Sequence, residues 1–157
     1  MKTVQGCPGS QMFQFKNKPN IEGDQGVAKT PSQLRQWPIQ FHLVSPTAPY
    51  YQGADVLLTA DCVGYALGNF HQDFLKGKSL AIACPKLDEG QDVYMEKIKA
   101  WVEEARIHTL TVLIMQVPCC MGLLNLTRQA VTACQIKVPL KYLVVGVEGE
   151  ILKEEWV

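Results

Sequence analysis

Four short, almost unbroken apolar runs set the terms for this chain: residues 55–60 (DVLLTA), 79–83 (SLAIA), 109–117 (TLTVLIMQV) and 140–147 (LKYLVVGV). Runs of this length and polarity, without polar alternation, predict strands covered on both faces, as in a parallel sheet. The segments between them have helical character. A short helix is expected within 63–75, ended by Gly77. The clearest helix is 91–106, with Val93, Ile98, Trp101, Val102 and Ala105 on one face and Glu96, Lys97, Glu103 and Glu104 pointing outward. A third runs from about 119 to 134, with Pro118 just before its start, where proline is tolerated. Residues 38–44 (PIQFHLV) predict a further strand at the front, closed by the loop SPTAPYY, and 148–157 is expected as an acidic tail or a final edge strand. Strands alternating with helices predict an α/β three-layer sandwich with a five-stranded, mainly parallel sheet, flavodoxin-like in plan.

Domain organisation follows from a change in texture. Residues 1–36 mix Gly, Pro, Gln and Lys with few aliphatics and hold no sustained period, so a flexible N-terminal segment is expected there, followed by one α/β domain over 37–157. At 157 residues and 47% apolar composition, one domain with a proper core is expected.

Charge and motifs exclude several function classes. Lys plus Arg equals Asp plus Glu, 15 against 15, and no basic run breaks the balance, so a nucleic-acid partner is not expected. No apolar stretch approaches the roughly 20 residues that span a bilayer, and the start, MKTVQGCPGSQ, lacks the apolar core of a secretory signal, so a cytoplasmic chain is expected. Neither a G-x-G-x-x-G turn nor a Walker-type loop is present, which argues against a nucleotide-binding enzyme.

The chemistry lies in the cysteines. Four of the six, Cys62, Cys84, Cys119 and Cys120, directly follow apolar runs. In an open parallel sheet the carboxyl ends of neighbouring strands face one crevice, where such folds hold their ligands. A disulfide framework is not expected in a chain this long and this rich in apolar strands. The expectation is instead a metal or iron–sulfur site, although no C-x-x-C motif is present. Cys119 and Cys120 fall at a strand-to-helix turn, where free N–H groups and the helix dipole favour thiolates. Four thiolates suit tetrahedral zinc or a cubane cluster. Adjacent α-carbons lie about 3.8 Å apart, and helical side chains there diverge by roughly 100°. Two neighbours on one zinc are therefore awkward, and a cluster accepts them more easily. A vicinal disulfide would fall below the usual Cα spacing of about 4.4–6.8 Å. The order of preference is cluster, then zinc, then vicinal disulfide.

The remaining polar residues carry less. Cys134 shares an apolar face with Leu123, Thr127 and Val131 and is read as core, and Cys7 as a fifth ligand or an idle thiol. Asp61, Lys86 and Asp88 are expected near the same rim, Lys86 offsetting the charge of a thiolate-bound cluster or simply solvated. His71 is expected as structural, and His42 and His108 as uninvolved. Tyr50 and Tyr51 either wall the crevice or pack in the core.

On these residues the chain resembles the C-terminal domain of a family of prokaryotic ferredoxin-type 4Fe–4S iron–sulfur cluster-binding proteins. The carrying segments are GCPGS (6–10), SQLRQWPIQFHLVSPTAPYYQGADVLLTADCV (32–63), FHQDFLKGKSLAIACPKLD (70–88) and VPCCMGL (117–123). Longer members carry an N-terminal module with two cysteine-rich ferredoxin motifs, and this chain is expected to lack it. A partial similarity to the CCG motif of heterodisulfide reductase subunits also exists. Met121 stands where both patterns usually have glycine, and the downstream C-x-x-C is missing, which argues against a noncubane cluster.

The resemblance and the residues together imply a redox accessory protein. It would bind a [4Fe–4S] cluster through Cys62, Cys84, Cys119 and Cys120 and transfer electrons to a redox protein partner. The alternatives are a zinc- or thiol-dependent enzyme with Cys119 or Cys120 in the crevice, and a non-catalytic interaction module.

Overall fold

The computed structural model describes residues 12–15 and 29–157. Two short strands, β1 (Phe13–Gln14) and β2 (Gln36–Trp37), form a small antiparallel pair. The main sheet follows, from β3 (Asp55–Ala60), β4 (Ser79–Ala83), β5 (Thr109–Met115), β6 (Leu140–Val145) and β7 (Ile151–Trp156). Its order is β4-β3-β5-β6-β7, with the first four parallel and β7 antiparallel to β6. Three helices connect these strands: α1 (Val63–Ala66), α2 (Gln91–Glu103) and α3 (Met121–Ala133). The expected five-stranded, mainly parallel α/β architecture holds.

Burial explains why the runs become strands. In β5 every residue after Thr109 is buried, and in β3 every residue after Asp55. Side chains alternate across a strand, so Leu57, Thr111 and Leu143 share one face and Leu58, Val112 and Tyr142 the other. Helices α2 and α3 pack together on the second face, where Arg128 of α3 lies over the Tyr142 ring at 5.0 Å. The first face is covered more thinly, by α1 and by the segment through the π-helical turn His71–Leu75.

The fifth strand is not the one expected. Residues 38–44 do not form a strand: only Gln40 bridges Ile82, flanked by Phe41 N–H to Ile82 O at 2.9 Å and Ile82 N–H to Ile39 O at 2.8 Å. Pro38 has no N–H to extend a ladder, and the chain turns at once, with the N–H groups of Leu43 and Val44 returning to Gln40 O at 2.9 and 3.1 Å. Lys97, expected to point outward, instead fixes this turn by donating to the carbonyls of Phe41, His42 and Val44 at 2.7, 3.0 and 2.9 Å. Burial pushes its ammonium below the usual lysine range. The fifth strand is β7, from the segment expected as a tail or edge.

The buried face of α2 differs from expectation at one position. Tyr94 is buried and Val93 is 41% exposed, so the face reads Tyr94, Ile98, Trp101, Val102, Ala105. Phe41 stacks on Tyr94 at 4.6 Å and on Trp101 at 4.9 Å, and Tyr51 meets Trp101 at 5.1 Å, giving a continuous aromatic column beneath α2. Aromatic pairs of this kind contribute about 0.5–1.5 kcal/mol beyond their area.

The packed body extends to the near side of residue 37. Gln36 is fully buried, and its side-chain carbonyl accepts the Leu80 N–H at 3.2 Å. Cys7 and most of the segment expected to be flexible lie outside the described residues.

Candidate thiol rim

Strand order places the site. From β3 the chain steps to one side to form β4, then crosses back over β3 to form β5. The connections leaving the carboxyl ends of β3 and β5 thus diverge, which makes this the switch point where such folds hold their ligands. The loops leaving β3, β4 and β5 carry Cys62, Cys84, and the pair Cys119 and Cys120, respectively. Asp61 N–H donates to Ala83 O at 3.1 Å, joining the ends of β3 and β4. Gly122 at the start of α3 lies against the loop after β4: a Cβ added there would sit 3.4 Å from Pro85 Cβ. A third wall is the hairpin between β6 and β7. Gly149 has φ +89°, and a Cβ there would be 2.5 Å from Ala66 O at the end of α1, so only glycine lets the hairpin close on α1.

The thiols fall into two groups within this rim. Cys119 and Cys120 occupy the 3-10 turn Pro118–Cys120 that opens α3. Cys119 is exposed and Cys120 buried, with Cys62 exposed nearby. Burial pushes the Cys120 thiol up most strongly; a backbone hydrogen bond to Met115 opposes this, while Cys119 and Cys62 raise it further. Cys120 therefore lies within electrostatic reach of Cys119 and, across two loops, of Cys62.

The second group is built around a tight loop. Asp88 accepts the Cys84 N–H at 2.9 Å, and its own N–H donates to Cys84 O at 2.9 Å. This double closure holds Cys-Pro-Lys-Leu-Asp as one small ring, with the Gln91 side chain bonded to Pro85 O. The Tyr94 hydroxyl donates to the same Asp88 carboxylate, and burial, that bond and the charges of Asp88, Asp61 and Cys84 hold the phenol firmly protonated. Asp61 stands between the groups. Burial, then the Asp88 charge, pushes its carboxyl above the usual carboxylate range, and its Oδ1 is buried without a hydrogen-bond partner. Loss of such a partner is costly for a polar atom out of water, so this oxygen is the exceptional acceptor of the rim.

Strand-end placement brings Cys62, Cys84, Cys119 and Cys120 to one end of the sheet. As the side chains stand, among the described residues no three His, Cys, Asp or Glu groups converge closely enough to hold a metal ion. Lys86 is exposed on the loop and makes no hydrogen bond or ion pair with another described residue. Tyr50 and Tyr51 do not wall the crevice. They lie at the opposite end, where Ser79 at the start of β4 bonds Tyr50 O and the Tyr51 hydroxyl donates to Leu80 O at 2.9 Å. His71 Nδ1 accepts the Gln33 N–H at 3.0 Å, a structural role. His42 bonds Glu89 O, and His108 pairs with Asp55 at the amino end of β3. Cys134 is half-buried at the end of α3, its thiol donating to Ala130 O at 3.2 Å. The residue missed from sequence is Tyr94; its i,i+4 spacing to Ile98 is the signal that places it on the buried face.

Among the described residues no helix is long and apolar enough to cross a membrane. In comparisons with known proteins, no solved structure matches the chain. An uncharacterised protein of Archaeoglobus fulgidus is 33% identical over 91 residues, 58% of this chain and 63% of that relative's length. The chain thus spans less than two thirds of the relative it matches. Residues 48–157, which contain the whole main sheet and all four rim cysteines, match a described family, and the chain belongs to it: the Rossmann-like domain family.

Proposed function

We propose that the thiol rim holds a [4Fe–4S] cluster through Cys62, Cys84, Cys119 and Cys120, and that the protein is a cytoplasmic redox accessory that hands electrons to a protein partner. The observation that carries this reading is that four cysteines, on three separate strand-to-helix loops, lie at one end of the sheet. The donor set is four thiols, the ligand type that such clusters take, and His42, the histidine beside the Cys84 loop, is engaged by Glu89 O. The same donors fit zinc by type, and the adjacent pair weighs for a cluster.

Each rim residue has a definite part in this reading. Cys62 and Cys119 are already exposed, Cys84 is carried on a loop that Asp88 keeps rigid, and Cys120 turns out of its buried position to complete the set. The cluster supplies one-electron transfer when bound. Lys86, exposed beside Cys84, offsets the negative charge of four thiolates and faces a docking partner. The ferredoxin-type resemblance of GCPGS, CPKLD and VPCC agrees with this reading.

The test is a set of serine variants. After anaerobic reconstitution with iron and sulfide, the wild type is expected to be brown and to give a one-electron reduction, read by electron paramagnetic resonance. Cys84→Ser and Cys119→Ser should each lose most of the colour, whereas Cys134→Ser should keep it. Equal colour in all three variants, or a protein that takes up one zinc and no iron, would sink the proposal.

A further inference from the structure

The second unusual surface lies at the far edge of the sheet. Strand β7 is the terminal strand of the main sheet, and all six of its residues are exposed. Leu152, Trp156 and the following Val157 are 52%, 63% and 63% exposed, an apolar group on an open strand edge. Unpaired edges are templates for further pairing unless covered or blocked; this one has no proline, and its β-bulge, at Leu152, lies at one end of the strand.

The ladder with β6 fixes which groups point outward. Val157 N–H donates to Leu140 O at 2.8 Å, so Val157, Glu155 and Lys153 turn their backbone groups toward β6. Glu154 and Trp156 therefore direct theirs to the open side. An antiparallel partner on that side is selected by its side chains.

We propose that two copies of this protein pair through β7, antiparallel and centred on Glu154, to give one continuous ten-stranded sheet. In this register Lys153 of each copy faces Glu155 of the other, at the non-hydrogen-bonded positions where side chains lie closest. Leu152, the residue that the bulge leaves unpaired with β6, comes against Trp156, so the apolar ends cover one another. The two Glu154 side chains also face each other, but each is already ion-paired with Lys141 of its own chain. Lys153 and Glu155 are likewise ion-paired within each chain, but centring on either would set two lysines or two glutamates directly opposite and bring no lysine against a glutamate. The strand is thus self-complementary in charge and in apolar contact, as a twofold interface requires.

Sedimentation velocity on the full chain at tens of micromolar tests this. The wild type should sediment as a dimer. Glu154→Pro removes an outward N–H and leaves the ladder with β6 intact, so it should be a monomer with unchanged circular dichroism. Lys153→Glu should weaken the dimer roughly tenfold or more through like-charge contacts, and the swap Lys153→Glu with Glu155→Lys should restore it. A monomeric wild type, a folded Glu154→Pro dimer, or a Lys153→Glu variant that dimerises like the wild type would each overturn the proposal. If Glu154→Pro does not fold, the charge-reversal and swap pair decides alone.

Discussion

The aromatic column under α2 and the thiol rim are neighbours, joined at Tyr94, yet they are built on opposite terms. In the column, Phe41, Tyr51 and Trp101 are fully buried and stacked, and Lys97 donates to three carbonyls to hold the turn that delivers Phe41. At the rim, two thiols are exposed and a third is buried at the edge of the core, while each region keeps a buried polar atom without a partner, Asp61 Oδ1 at the rim and Trp101 Nε1 in the column. The column spends its side chains on stability and the rim leaves them available for chemistry. Tyr94 belongs to both, with its ring in the column and its hydroxyl on Asp88.

Breaking the column should produce the largest effect. Trp101→Ala deletes its central ring and should cost about 3–5 kcal/mol of stability, read from the urea unfolding midpoint. Lys97→Met keeps the stem and removes the donor to three carbonyls; a loss of about 1.5–3 kcal/mol is expected by the same measurement. Tyr94→Phe separates the two regions, because it keeps the ring and deletes only the hydroxyl. A loss of about 1 kcal/mol is expected, together with faster alkylation of Cys84 as its loop loosens. If Tyr94→Phe costs as much as Trp101→Ala, the rim is part of the core and the contrast fails.

How much of this was legible in the sequence depends on what each residue's role requires. The four apolar runs announced their strands, since burial on both faces leaves a direct mark in composition. The strand-end cysteines could be placed at a shared rim for the same reason. The strand expected at 38–44 was not there, because its apolar side chains serve a turn and a column, and composition does not distinguish these from a sheet. Strand β7 lacked the apolar mark because it is an exposed edge, held by its ladder with β6. Lys97 reads in the sequence as a surface charge, since nothing in a helical pattern shows that three carbonyls of a distant loop converge on one lysine. Tyr94 was legible in principle from spacing, but its bond to Asp88 was not.

The smallest expected effect sharpens the rim itself. The Asp61 carboxyl is raised above its usual range, so the folded chain binds more protons than the unfolded chain between the two values. Stability contributed at low pH is therefore lost as pH rises through that window. Asp61→Asn should remove this loss, leaving the protein slightly more stable than the wild type at neutral pH and no more stable in acid below the usual carboxylate range. Thermal unfolding as a function of pH reads the difference. A variant destabilised equally at both ends would show that Asp61 has a structural partner instead.

The most direct test of the rim's assignment is the iron and acid-labile sulfide content of the chain after anaerobic reconstitution. The wild type should hold about four of each per chain. The variant with Cys62, Cys84, Cys119 and Cys120 all replaced by serine should hold close to none while unfolding at nearly the same urea concentration. A wild-type chain free of iron and sulfide, or a quadruple variant that retains them, would contradict the account.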